Sequence, residues 1–292
     1  MTALVVLAAG RAKRYGGVKP LAPIGPDGEA VIDLLAGDAL RAGFERIVLV
    51  VNPDTGGLIE AHVRGSWPPA VDVAFCVQTV PVGTVDAVLT ARPAVDETVP
   101  FGVANADDLY GADAMSVLGG HLEASGTNAL VAFRLDRALV GELPVTRGVC
   151  VVAGGLLQGI AERRRVAWRD GVFHVDDGQE PAALDPATPV SMNLWGFDPR
   201  MWEVLAAAMA RAPEASEDDE VLLPELVGDL VADGGVLGRV AVLATSSRCL
   251  GVTHADDLGI VKAEVAAEVA RGERPAAVFP ESLGTPGGAR QG

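Results

Sequence analysis

Apolar residues along this chain gather into short unbroken runs instead of alternating with polar ones. Residues 3–8 (ALVVLA), 46–51 (RIVLVV), 71–77, 101–104 and 129–133 each read as a strand. Runs without polar alternation suit strands covered on both faces, as in a parallel sheet. Between the first two, Ile32, Leu35, Ala36, Ala39 and Leu40 recur at helical spacing, and Gly43 stands where a helix C-cap belongs. Strand, helix and strand joined by short connections predict an α/β fold with a doubly wound, mostly parallel sheet.

The second half is patterned less regularly. Residues 149–152, 190–197 (VSMNLWGF) and 236–244 read as strands, and 199–211, 220–232 and 255–271 as helices. Between 164 and 189, Gly171, Asp176-Asp177-Gly178, Pro181, Pro186 and Pro189 predict a hairpin or excursion with turns. The chain carries no internal repeat and no linker, so 1–279 is expected to be a single domain. The Gly- and Pro-rich stretch 280–292 is expected to be a flexible tail.

Composition narrows the function. Of 292 residues, 49% are apolar and 21% charged, which is the make-up of a globular protein able to bury a sizeable core. The 23 Lys plus Arg against 39 Asp plus Glu leave a net charge of −16. That balance disfavours nucleic acid and anionic membrane as partners, although a few local cations can still hold a small phosphate ligand. Cys76, Cys150 and Cys249 are odd in number and widely spaced, which argues against a disulfide framework or a CxxC metal site. The first apolar run is too short to span a bilayer and has no basic leader, so a soluble, cytoplasmic protein is expected. The four histidines form no zinc-like grouping, and no GxSxG elbow is present.

The strongest chemical signal follows the first strand, at Leu7-Ala8-Ala9-Gly10-Arg11-Ala12-Lys13-Arg14-Tyr15-Gly16-Gly17-Val18-Lys19-Pro20-Leu21. A glycine leaving a buried parallel strand lets the backbone approach a ligand, and its amides can cradle phosphate oxygens. Such loops lie at the carboxyl ends of the strands, where open α/β sheets bind ligands. Lys13, Arg14 and Lys19 supply positive charge for a triphosphate. Proline after Lys19 excludes a Walker A loop, and the glycine spacing is not that of a dinucleotide fingerprint.

LAAG, a basic segment and KPL together resemble the opening signature of the sugar-1-phosphate nucleotidylyltransferases. RYGGVKPLAPIGPDGE resembles a bacterial branch of that family described as glucose-1-phosphate uridylyltransferase-like. Further similar segments are Gln78 with Gly83-Thr84, Asn105-Ala106-Asp107-Asp108-Leu109-Tyr110-Gly111, Arg147-Gly148-Val149-Cys150, Ser191-Met192-Asn193-Leu194-Trp195-Gly196-Phe197 and Gly251-Val252-Thr253. The resemblance implies a GT-A-like nucleotidyltransferase fold with an inserted sugar-binding region. Its nucleotide-binding half would be 1–135 and its sugar-phosphate half 136–279. The implied reaction passes a nucleotidyl group from a nucleoside triphosphate to a sugar 1-phosphate or cyclitol phosphate, with magnesium as cofactor and pyrophosphate as product.

By the same resemblance, Arg14 contacts the triphosphate and leaving pyrophosphate, and Lys19 holds the α-phosphate region. Ala9, Gly10, Arg11, Ala12 and Lys13 line the nucleotide, while Gln78, Gly83 and Thr84 lie at the base. Asp107 takes magnesium. Strand-like alternation points the neighbouring Asp108 away, and an Asp pair capping the next helix is the alternative reading. Gly148, Glu162, Arg163 and Asn193 fall on the sugar-phosphate side, with Glu162 on hydroxyls and Arg163 on the phosphate. An exposed charged stretch reads equally well for 162–165.

Two positions depart from the family. Ala12 replaces a loop glycine, and Gly251 stands where many relatives carry a second metal-binding aspartate. Asp256 and Asp257 follow, placed to begin a helix. A homo-oligomer is compatible with this reading. A nucleotide-sugar-dependent glycosyltransferase and a non-catalytic nucleotide-binding regulator are the alternatives; Asp107-Asp108 lacks the Asp-x-Asp spacing usual for the former.

Overall fold

The computed structural model describes residues 1–10, 17–141, 143–212, 219–251 and 257–284. Strands β1 (Ala3–Ala8), β2 (Arg46–Val51), β3 (Asp72–Val77) and β4 (Phe101–Asn105) lie parallel in the order β4-β1-β2-β3. Successive residues of β1 serve opposite faces. Leu4 and Val6 pack with α1 (Val31–Arg41), α2 (Gly56–Ser66) and α4 (Ala112–Ala124), through Ile32, Ile59 and Leu118. Ala3 and Val5 pack with α3 (Thr84–Thr90), α5 (Met201–Arg211) and α6 (Leu223–Asp233), through Val88, Trp202 and Val227. Burial on both faces is why these strands read as continuous apolar runs. Each fully buried Val, Leu or Ile contributes about 1.5–3 kcal/mol.

The expectation of a doubly wound, mostly parallel sheet holds only for that part and is otherwise corrected. After the two-residue β5 (Asp108–Leu109) and β6 (Ala129–Arg134) come β7 (Val145–Ala153), β8 (Leu156–Arg169), β9 (Val172–Val175) and β10 (Ala183–Leu184). Then follow β11 (Pro189–Phe197), β12 (Ala241–Ala244) and β13 (Leu250–Gly251). Strand β11 runs antiparallel between β4 and β6, and β12 runs parallel to β6. The sheet is therefore mixed.

A bulge explains the change of course. The register of β11 against β6 shifts between Ser191 and Trp195, and Asn193 within it has φ +60°. Before the bulge, Val190 and Ser191 also pair with β7; beyond it, Trp195 to Phe197 pair with β4. Strand β7 pairs with β8, and Leu156 of β8 pairs with Ala241 of β12, so β6, β11, β7, β8 and β12 close a ring of pairings.

The expected strand at 236–244 is shorter than read. A 3₁₀ turn (Val236–Gly238) precedes β12, and a β-carbon on Gly238 would collide with the Leu230 carbonyl. Helix α7 (Asp257–Ala270) seats Val261 and Val265 against Val31 and Leu34. Beyond it Arg274 is buried with both carboxylate oxygens of Asp38 and Oε2 of Glu268, each at 2.9 Å. Among the described residues no helix is long and apolar enough to cross a membrane.

Candidate active site

Three adjoining cavities open at the carboxyl ends of β1 and β4, and Asp107 borders all three. The first, about 380 Å³, is bounded by Gly10, Lys19 and Asn52. The second, about 470 Å³, is bounded by Ala9, Gly10, Gln78, Gly83, Thr84 and Asn193. The third, about 800 Å³, lies beside Lys19, Asp108, Arg147, Gly148, Glu162 and Asn193.

Lys19 opens a single 3₁₀ turn (Lys19–Leu21) whose Pro20 is buried. From there its Nζ stands 3.6 Å from Asp107 Oδ2. Both groups are partly exposed, so the pair adds little stability and its meaning is positional. No described residue lies within 4 Å of the place a β-carbon on Gly10 would take. Arg11, Ala12, Lys13 and Arg14 lie outside the described residues, as do Val252, Thr253 and Asp256.

Buried Tyr110 holds the segment after β4. Its hydroxyl accepts from the Asn105 amide and donates to the Met192 carbonyl, both at 2.9 Å. Asp107 falls in the turn between β4 and β5, outside either strand, so strand alternation does not govern its direction. Asp107 and Asp108 consequently border the same cavity, contrary to the expectation that they diverge. Asp108 accepts from Asn105 Nδ2 at 3.2 Å and lies opposite Gly251 in the β5–β13 pair. Burial, reinforced by the neighbouring Asp107 charge, pushes the Asp108 carboxyl up to about 7, while Asn105, Arg147 and Lys19 pull the other way.

Gln78 is buried, and its Nε2 donates to the Gly83 carbonyl (3.1 Å) and to Asp86 Oδ2 (2.8 Å). Both amide hydrogens are thereby engaged, and Oε1 is the group left to accept. Gly83 has φ +111°, and a β-carbon on it would stand 2.5 Å from the Val221 amide nitrogen. Local packing therefore accounts for this glycine. Thr84 Oγ1 accepts from the Leu223 amide at 2.7 Å, tying the base of α3 to α6.

On the far side of the cleft, Gly148 pairs with Glu162 of β8 and Ser191 of β11. Glu162 borders the large cavity and forms an exposed ion pair with Arg164 at 2.8 Å. Arg163 does not reach that cavity, which corrects its expected place on a sugar phosphate. Adjacent strand residues point to opposite faces, and Arg163 is buried against Asp177 at 2.8 and 3.2 Å. Its Nη2 also donates to the carbonyls of Gln179 (2.8 Å) and Pro181 (2.9 Å). This arginine organises the 177–181 excursion.

The cation that does border the cavity is Arg147. Its Nε (3.1 Å) and Nη2 (2.7 Å) donate to the Ala138 carbonyl, and Nη1 donates to the Thr146 carbonyl at 2.9 Å. Burial draws its basicity below the usual guanidinium range, and Asp108 opposes that shift. Sequence reasoning grouped Arg147 with Gly148 without assigning it a role. Its signal in the sequence is a charged residue two positions before the apolar run 149–152.

The site thus joins a mixed α/β sheet to a lysine–carboxylate pair at its strand ends. The profile of the MobA-like NTP transferase domain matches residues 4–213, more than half of the chain, and the protein belongs to that family. A UDP-glucose pyrophosphorylase solved with UDP-glucose is similar in structure, with TM-score 0.65 and 15% identity over 92% of this chain and 99% of that one. A Bacillus anthracis protein assigned as a glucose-1-phosphate thymidylyltransferase, solved with sucrose, gives TM-score 0.67 and 12% identity over 91% and 95% of the respective chains. No curated protein matches the chain in sequence.

Proposed function

We propose that this protein transfers a nucleotidyl group from a nucleoside triphosphate to a sugar 1-phosphate or cyclitol phosphate. An oxygen of the acceptor phosphate attacks the α-phosphorus in line. A new P–O–P linkage forms as the bond to the β,γ-phosphates breaks and pyrophosphate leaves. Both reactants are anions, so positioning and charge neutralisation carry the catalysis. The observation that carries this reading is Lys19 beside Asp107 where the three cavities join.

Each residue then has a role. Lys19 neutralises the α-phosphate, with Arg14 acting on the triphosphate from the loop. Ala9, Gly10, Arg11, Ala12 and Lys13 are assigned to the phosphates, Gly10 offering its backbone amide. Gln78 Oε1 accepts from a base N–H, beside Gly83 and Thr84. Gly148, Glu162 and Asn193 face the acceptor, where a carboxylate and an amide can bind hydroxyls.

Magnesium suits the carboxylate oxygens here, because it takes few protein ligands and keeps phosphate and water as the others. Asp107 would hold it, with Asp108 beside the same cavity. Bound there, the ion would neutralise charge on the triphosphate.

The test is pyrophosphate release from a matrix of nucleotides and sugar or cyclitol phosphates. Release with at least one pair, and formation of the matching nucleotide-sugar, is the expected result. Glycosyl transfer from a nucleotide-sugar without pyrophosphate chemistry, or nucleotide binding without turnover, would overturn it.

A further inference from the structure

We propose that Arg147 is the cation that receives the acceptor's phosphate. This deepens the nucleotidyl-transfer reading and rests on it.

Arg147 is held for such a task. Of the five N–H donors of a guanidinium, three are directed onto the Ala138 and Thr146 carbonyls. One N–H on each terminal nitrogen remains, and no carboxylate among the described residues forms an ion pair with it within 4 Å. A guanidinium fixed from behind by main-chain oxygens presents a planar fork already oriented for a phosphate. Arg163, the other candidate in sequence, is enclosed by Asp177 and two carbonyls.

The cavity offers few other cations for this task. Among the described residues bordering the large cavity, Lys19 and Arg147 are the cations, facing Asp107, Asp108, Glu162, Glu225 and Asp229. With Lys19 nearest Asp107, Arg147 is left for the acceptor phosphate.

The experiment uses the full chain, with wild type compared with Arg147→Gln and Arg147→Lys. Steady-state kinetics use the sugar 1-phosphate that wild type turns over fastest. Losing a charge-assisted contact should raise the acceptor KM about 10- to 100-fold, with the nucleotide KM nearly unchanged. If Arg147→Gln fails to fold, Arg147→Lys carries the same expectation, because it keeps charge but loses the fork. Calorimetry with inorganic phosphate needs no turnover: wild type should bind it, and the variants about 10-fold or more weakly. Unchanged acceptor KM in a folded variant, acceptor and nucleotide KM rising together, or phosphate binding indifferent to Arg147 would overturn the assignment. A wild type that binds phosphate through Arg147 but releases no pyrophosphate would instead refute the nucleotidyl-transfer reading alone.

Discussion

Asp108 occupies the space that a side chain at position 251 would need: a β-carbon on Gly251 would stand 2.5 Å from Asp108 Oδ1. The two residues face each other across the β5–β13 pair. An aspartate at position 251 of this chain would meet a clash. In this chain the carboxylate at that spot comes from the facing strand.

Gly251→Ala should therefore destabilise the protein by about 1–3 kcal/mol, the usual cost of forcing atoms into a filled site. Gly251→Asp should be worse, since it adds a like charge beside Asp108. Combining Gly251→Asp with Asp108→Gly should recover much of the loss. Denaturant unfolding of the four proteins checks this; additive losses in the double variant would refute the spatial exchange.

Lys19→Ala should lower kcat/KM by about 10²–10³, the size of one phosphate-directed donor. Stability should change by less than about 0.5 kcal/mol, because the partly exposed pair with Asp107 contributes little to folding. Pyrophosphate-release kinetics beside thermal unfolding separate the two effects.

Magnesium should bind weakly to the free protein and more tightly with nucleotide present, the phosphates supplying ligands that Asp107 cannot. Asp107→Asn should abolish the nucleotide-dependent part while preserving the fold. Calorimetry with and without nucleotide measures this, and chelation of magnesium should stop turnover.

Arg163→Gln should lower the melting temperature, since it removes the charged partner of buried Asp177 and the donor to two carbonyls. In protein that remains folded, the acceptor KM should stay near wild type. A large rise in acceptor KM with unchanged stability would return Arg163 to the substrate.

His62 should make stability depend on pH. Its Nε2 lies 2.8 and 3.0 Å from the two Asp33 oxygens, and that hydrogen bond raises the imidazole above its ordinary value of 6.5 against the opposing effect of burial. A raised folded-state value favours the protonated native form. The stabilisation is thus complete below about pH 6.5 and fades as pH climbs through the raised value. Relative to His62→Gln, wild type should lose stability as pH rises above about 6.5; parallel curves would exclude the linkage.

Some of this architecture lay open in the sequence because its causes are local. Residues 3–8 and 46–51 show their strands through burial on both faces, and α1 shows its helix through apolar spacing closed by Gly43. Gly10 and Lys19 stood out because strand end, glycine and cation are neighbours along the chain. Strand β8 escaped notice, since its exposed face carries charged residues, including Glu162 and Arg164, that mask any apolar pattern. The choice between Arg163 and Arg147 was beyond local pattern altogether. It depends on the register of β7 against β8, which shifts between Val145 and Arg147, and on the 177–181 segment folding over one face. Likewise, Gly251 read as a missing carboxylate until chain reversal set β13 against β5 and brought Asp108 into its place. Periodicity reports which residues are buried; only pairing between distant segments decides which charged groups meet.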